Sequence, residues 1–276
     1  MYNFIFTSEF KVVITSLKKI ALSITLLAAC VHTLANDIAS VEEILEQADR
    51  FRLPTHSAQV MTQVRLFKTA EQIQRNSPHK ESLYEVLIKP GHRSLILFKS
   101  PRQVGKKVLM VEDSYWLLMP TSRRPIRITP MQKLIGEAST GDISSLTWSE
   151  DYQGVIAGEG QFEQRPTLIL NLTAKVKSAS YQTIKLEVDR TTYQPLHAYL
   201  YLTSGKLAKE AIYKLGDQKE SPRITQLILL DRLASNKRTI IDYLAITPAI
   251  IPDRVYNPAY LVRNPKLEFE LQATVL

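Results

Sequence analysis

The sequence predicts a mainly β domain of the α+β class: a long, curved antiparallel sheet with an amphipathic helix at its N-terminal end. Three observations predict it. A helical stripe, Val41, Ile44, Leu45, Ala48 and Phe51, gives way after Leu53-Pro54 to a period-two pattern that continues for most of the remaining chain. Turn signals such as Pro90-Gly91 and Glu112-Asp113 separate short apolar runs at the spacing of a meander. No internal repeat or low-complexity linker interrupts the pattern, and its length suits one all-β unit.

The N-terminus is expected to be an export signal. Lys18 and Lys19 precede an apolar run from Ile20 to Leu34, shorter than the about 20 residues of a comfortable membrane span and followed at once by Asn36-Asp37. This divides the chain into a signal at 1–35 and a single domain at 36–276. Two cleavages are open. Thr33-Leu34-Ala35 would release a soluble protein, whereas Leu27-Ala28-Ala29-Cys30 fits a lipobox that would leave Cys30 lipidated. Cys30 is the only cysteine, so the domain has neither a disulfide nor a thiol nucleophile and must rely on its own core.

The formal charge is +8, of which residues 1–35 carry +2 (Lys11, Lys18 and Lys19 against Glu9), leaving +6. Basic residues concentrate only at Lys106-Lys107 and Arg123 to Arg127. That is a poor footprint for nucleic acid, and suits an anionic lipid surface or an acidic partner better.

Each element has its own signal. Ser40 and Glu43 have capping-box spacing at the start of the helix, with Glu42, Glu46 and Asp49 expected to face away from its apolar stripe. Pro54 ends it. Strands are predicted at Val60 to Phe67, Leu83 to Lys89, Arg93 to Lys99, Lys107 to Val111 and Ser114 to Met119. Residues Pro130 to Tyr152 break the pattern with a short helix candidate, Met131 to Ile135, and a polar loop. Strands resume at Val155 to Gly158, Thr167 to Leu172, Ile184 to Asp189, Pro195 to Thr203, Leu207 to Leu215, Ile224 to Asp231 and Lys237 to Ala245. A proline-rich region, Pro248 to Tyr260, leads to a last apolar strand or tail at Leu267 to Leu271.

Enzyme chemistry finds little support. The histidines at 32, 56, 79, 92 and 197 lack zinc-ligand spacing, and those beyond His32 are expected at strand ends and turns. No Gly-x-Ser-x-Gly elbow is present, and Gly154, Gly158 and Gly160 lack the Lys-Ser/Thr of a phosphate loop. Glu150-Asp151 beside Trp148 and Tyr152 could imitate a glycosidase pair, but neighbours on an extended chain point apart, which favours a solvated loop. No catalytic residue, metal or cofactor is implied.

The stretch from Ser114 to Asp142 carries a resemblance. Its strand Trp116-Leu117-Leu118-Met119-Pro120 runs into the basic turn Ser122-Arg123-Arg124-Pro125-Ile126-Arg127 and then the dipeptide Gly141-Asp142. That order resembles the periplasmic outer-membrane lipoprotein-sorting proteins, the LolA-like family, although Ile143 stands where the family often has an aromatic. Tyr201 to Leu207 looks like the family's Ser-Gly-Lys-Leu hairpin. Pro222-Arg223-Ile224 and the Lys237-Arg238-Thr239 turn fit its later strands. Together these motifs span about Ala39 to Arg263.

The resemblance implies a half-open barrel whose concave face, under helices, is a hydrophobic cavity for acyl chains. From pattern alone that face is better read as an ordinary filled core. Residues expected to line such a cavity are Ile44, Leu45, Val64, Leu95, Leu97, Trp116, Leu118, Leu134 and Ile135, with Met110 and Met119 adding adaptable packing. Trp116 and Leu118 share one strand face and Leu117 takes the other. Asp142 is expected to work through its side chain in a cap or turn. Arg123, Arg124 and Arg127 are candidates for contact with a partner or a lipid headgroup, or else form a solvated hairpin tip. The implied function is a monomeric, non-enzymatic periplasmic carrier. Its partners would be an acylated lipoprotein or lipid cargo and an inner-membrane transporter complex, with no nucleic acid. The alternatives are a lipid- or lipoprotein-sensing interaction module of the same fold, or an accessory component of an export complex.

Overall fold

Helix α1 (Val41–Arg52) forms because both of its ends are closed. Ser40 Oγ accepts the Glu43 amide at 3.3 Å and Glu43 Oε2 accepts the Ser40 amide at 2.8 Å. Glu42 and Glu43 in the first turn and Arg50 and Arg52 in the last suit the helix dipole, and Leu53 leaves in an extended conformation before Pro54. The chain then enters β1 (Ala58–Phe67), a short Thr69-capped helix α2 (Ala70–Gln74), β2 (Lys80–Lys89), β3 (Arg93–Phe98), β4 (Lys107–Val111), β5 (Ser114–Leu118) and β6 (Ile126–Ile128). After a small hairpin of β7 (Lys133–Ile135) and β8 (Ala138–Ser139) come the short helices α3 (Thr140–Ile143) and α4 (Trp148–Asp151). Seven strands follow: β9 (Tyr152–Phe162), β10 (Arg165–Ala174), β11 (Thr183–Asp189), β12 (Pro195–Tyr201), β13 (Leu207–Leu215), β14 (Ile224–Asp231) and β15 (Arg238–Ile250). A 3-10 turn (Asp253–Tyr256), helix α5 (Pro258–Arg263) and β16 (Gln272–Ala273) complete the chain.

This computed structural model describes residues 39–135, 138–143, 147–176, 179–216, 222–233, 237–267 and 272–273. The expected signal at 1–35 with Cys30, residues 268–271 of the expected last strand, and the side chain of Ile135 lie outside them. Ser40–Leu276 forms one compact unit.

One curved antiparallel sheet runs in the order β6-β5-β4-β3-β2-β1-β15-β14-β13-β12-β11-β10-β9, with β16 beside β15. Two meanders thus meet where β1 pairs with β15. Hairpin chemistry explains the tight connections: Gly91 and His92 take positive φ between β2 and β3, and Glu112 does so between β4 and β5.

Register decides which residues share a side. Val60, Val86 and Ile96 align on one side of the sheet, and Leu87, Leu95 and Leu109 on the other. The first side meets α1 and α3, since Val60, Thr62, Val86 and Ile88 border Arg52, Leu53, Asp142 and Ile143, and it meets α4 where Trp148 packs edge-on against Tyr213. The second is covered by the chain after β15. Leu87, Leu95, Leu109 and Leu118 pack there with Ala249, Ile251, Val255, Tyr256 and Leu261. Polar contacts fasten this cover. The Tyr256 hydroxyl donates to Leu87 O at 3.3 Å, Asp253 pairs with Lys89 and Arg93, and buried Lys107 donates to Pro265 O at 2.6 Å. Burial holds the Lys107 ammonium below its ordinary pKa.

Three expectations are corrected. Met131 to Ile135 is not helical: Lys133–Ile135 pairs with Ala138–Ser139 instead, because the window between Pro130 and Gly136 is too short to offset helix nucleation. Asp49 does not face away but is 5% exposed, because its carboxylate caps α4. His197 is not at a strand end. It is buried within β12, with Nε2 at 2.8 Å from Glu210 and its ring stacked on Phe162.

Candidate functional site

The α1 side of the sheet is closed by β8, α3 and α4, held by three buried charges, Asp49, Asp142 and Lys209, and by the half-buried Arg52. Asp49 accepts the backbone amides of Trp148 (3.2 Å) and Ser149 (2.9 Å) and the Ser149 hydroxyl (3.0 Å), supplying α4 with the N-terminal acceptor its own Thr147 does not provide. Burial, the largest influence, keeps the Asp49 carboxyl above its ordinary pKa despite Arg52 and these three donors. Arg52 bonds Asp49 at 2.9 Å and lays its guanidinium 3.6 Å above the Trp148 ring. A helix residue thereby clamps a loop almost 100 positions away.

Asp142 is the second anchor. It accepts the Ser139 amide (2.8 Å) and hydroxyl (2.7 Å), the Tyr181 hydroxyl (2.8 Å) and the Lys209 ammonium (2.6 Å). The two charged side chains are 5% and 2% exposed. Burial alone would raise the carboxyl's pKa, but the neighbouring Lys209 charge and these hydrogen bonds outweigh it and hold Asp142 below the ordinary carboxylate range. Gly141 is required beside it, because a Cβ there would lie 2.0 Å from Ser180 Oγ. The expected turn role of Asp142 is therefore present, together with a long-range ion pair that adjacent-residue reasoning missed. A signal for that pair exists in the sequence: Lys209 alternates in step with Ala211 and Tyr213, which places a lysine on an inward-facing row.

Beneath this plug little space remains. A cavity of about 50 Å³ lies among Arg52, Trp148, Tyr181, Tyr213, Leu227 and Tyr243, and one of about 20 Å³ lies beside Thr62 and Ile143. Two open grooves flank Pro54 and Thr55. One of about 290 Å³ runs along Ala58, Ile224, Tyr243, Leu244, Ala245 and Ile246, and one of about 190 Å³ is bordered by Leu53, Ile88, Met110, His92 and Glu150. His92 Nε2 lies 2.5 Å from Glu150 Oε2, which ties the β2–β3 turn to α4. Glu150 and Asp151 are thus part of a short helix rather than of an extended loop.

The residues expected to line one cavity are distributed between the two sides of the sheet. Ile44, Leu45 and Val64 are buried on the α1 side. Leu95, Leu97, Trp116 and Leu118 pack on the other, under the C-terminal cover. Leu134 is half-buried on β7, whose last residue is Ile135. The structure also divides the basic turn. All three arginines are exposed, and among the described residues only Arg127 makes side-chain contacts, sitting over the Trp116 ring at 5.5 Å and donating to Ser114 Oγ at 2.8 Å. Replacing Arg123 and Arg124 with Ser should change stability by less than about 0.5 kcal/mol. Arg127→Ser, which uncovers Trp116, should cost more in the same denaturation series.

Residues 91–263 match the model of a family described as "Uncharacterized protein". The fold is similar to that of a LolA superfamily protein from Nitrosomonas europaea, with 27% identity and a TM-score of 0.71 over 79% of this chain and 98% of that one. It is also similar to an outer membrane lipoprotein-sorting protein domain from Vibrio parahaemolyticus (19% identity, TM-score 0.64, 80% and 98% covered). A DUF1329 family protein from Desulfovibrio piger gives 18% identity and a TM-score of 0.63 over 78% and 95%. No curated protein matches the sequence.

Proposed function

Because the chain belongs to the family whose model spans residues 91–263 and has a LolA-like fold, we propose that it is a periplasmic carrier that shields an acylated lipoprotein or lipid on the α1 side of its sheet. The observation that carries this reading is the apolar and aromatic row behind the plug. Tyr181, Ile184, Leu200, Tyr213, Ile224, Leu227, Leu229 and Tyr243 face a segment held largely by polar anchors rather than by a continuous packed helix. Each acyl methylene moved there from water gains about 0.8 kcal/mol, so a chain of ordinary length supplies enough free energy to displace a short segment. The existing 50 Å³ cavity admits no such chain while the plug is in place. Binding therefore requires α3 and α4 to move, with the groove at Ala245 as the open approach.

In this reading residues 1–35 are removed as a signal and 36–276 are the working domain. Lipidation at Cys30 is the alternative that would tether it. No helix among the described residues is long and apolar enough to cross a membrane. Ile44, Leu45 and Val64 keep their place as lining candidates. Leu95, Leu97, Trp116 and Leu118 support the sheet from behind.

Lipid extraction and native mass spectrometry of the protein purified from the periplasm test the proposal. Bound acyl species are expected, together with saturable uptake of a fluorescent fatty acid. Ile246→Trp, which enlarges the side chain that borders this groove on the same side as Val60 without burying a charge, should weaken uptake at least about tenfold with little change in melting temperature. A protein that carries no acyl chain and takes up none favours the alternative of an interaction module, which the filled α1 side also suits.

A further inference from the structure

The strand ends around β1 to β6 are unequal in charge. The connections 68–79, 99–106 and 119–125 hold seven Lys or Arg residues against one acid, Glu71. They lie at one end of the sheet, since Leu66 pairs with Lys80, Tyr84 with Phe98, and Lys107 with Leu118. The connections at the other end of these strands, 90–92 and 112–113, hold no Lys or Arg and contain Glu112 and Asp113. Two of these loops touch, since a Cβ at Gly105 would lie 3.2 Å from Pro120 Cβ, and Ser100 Oγ accepts the β2 amide of Leu83 at 2.9 Å. Arg75 pairs with Glu71 and Lys99 with Glu85, while Lys68, Arg102, Lys106, Arg123 and Arg124 face no carboxylate within ion-pair distance among the described residues.

Exposed apolar side chains occur in the same place. Val104 is 63% exposed between Arg102 and Lys106, and Ile126 is 49% exposed next to the Arg123-Arg124 turn. The neighbouring connection between β14 and β15 adds Leu233, 51% exposed, beside Arg232. We propose that this end of the sheet is a docking surface for an anionic phospholipid bilayer. The cations would meet headgroup phosphates, and Val104, with Ile126 beside it, would enter the acyl boundary. A bilayer offers phosphate and hydrocarbon at adjacent depths, which is what this mixture of side chains requires. A phosphodiester chain has nothing to bury Val104 or Ile126. The surface is separate from the grooves beside Pro54, so it docks the protein whether or not the carrier reading holds.

The test is co-flotation of the full chain with vesicles of phosphatidylcholine alone or with about a third phosphatidylglycerol. The N-terminal apolar segment is common to all variants, so differences between variants report the loops. Wild type should partition to the anionic vesicles and be released by salt. Arg102→Ser/Arg123→Ser/Arg124→Ser should reduce that partition on the order of 100-fold, at about fivefold per cation lost near the surface. Val104→Ser should weaken binding severalfold to a similar degree at low and high salt, as expected for an apolar contribution. Equal binding of wild type and both variants overturns the proposal. So does a triple variant that is folded, as judged by an unchanged melting temperature, and keeps wild type's preference for the anionic vesicles and its release by salt. Retention of the protein only by an acidic protein partner, with no preference for anionic vesicles, also overturns it.

Discussion

Asp142→Ala should lower the stability of the domain by about 3–5 kcal/mol, the usual cost of removing one partner from a buried ion pair. Lys209 would be left 2% exposed with no carboxylate, and the hydroxyls of Ser139 and Tyr181 would lose their acceptor. For a unit of this size, about 2–4 °C of melting temperature per kcal/mol gives a fall of roughly 6–20 °C. The pH dependence carries an independent signature. The folded-state pKa of Asp142 is lowered, so its contribution is present above the unfolded carboxyl value of about 3.9 and is lost as pH falls through the folded one. The gap between wild type and variant should therefore narrow below about pH 4. Asp142→Ala/Lys209→Met, which removes both charges, should recover much of the loss. A melting temperature unchanged by the single substitution would show that the anchor does not hold the segment. If the single variant stays folded, faster uptake of a fluorescent fatty acid is expected, since the plug has lost one of its buried anchors.

Ile44→Asp should cost at least about 4 kcal/mol. Ile44 is 0% exposed at the centre of the stripe that joins α1 to the rest of the unit. Deleting a buried aliphatic side chain of this size costs about 2–5 kcal/mol. The new carboxylate must in addition be desolvated, protonated, or carried into water by detaching the helix. Detachment would also remove Asp49 from the α4 amides and Arg52 from Trp148, so the Asp49 anchor of the plug fails with the helix. Chemical denaturation should show a lower midpoint, and near-ultraviolet circular dichroism should show loss of the fixed Trp148 environment. Glu42→Ala, on the exposed face of the same helix, is the control and should stay within about 0.5 kcal/mol. Equal midpoints for the two substitutions would mean that α1 is not part of the cooperative core.

Much of the fold is legible in local pattern. The capping box at Ser40 and Glu43, the Pro54 stop and the period-two runs place α1 and most of the strands to within a few residues of where they lie. β6 is lost inside the basic turn because a three-residue strand, Ile126–Ile128, is too short to show a period. β7 and β8 escape for a similar reason, since the two-stranded pairing they form is seen only when the chain folds back. β9 runs well beyond its expected Val155 to Gly158, because its glycines suggest turns until β10 pairs along its length.

The candidate site was harder to read, and β3 shows why. Leu95 and Ile96 are both 0% exposed, so the strand is apolar on both sides and alternation cannot tell which side faces α1. Only the tertiary structure puts Leu95, Leu97, Trp116 and Leu118 under the chain after β15, because that cover comes from residues more than 130 positions later in sequence. The same holds for Asp49 and Lys209. The sequence by itself determined α1, most of the strands and the alternation that sorts each strand's side chains into two sets, all set by local sterics and a period of two. Tertiary structure alone decided what each face meets, whether the α1 side is open or filled, and which charges are paired. Those outcomes depend on contacts between segments far apart in the chain, such as Asp49 with Ser149 and Asp142 with Lys209, and no local pattern encodes them.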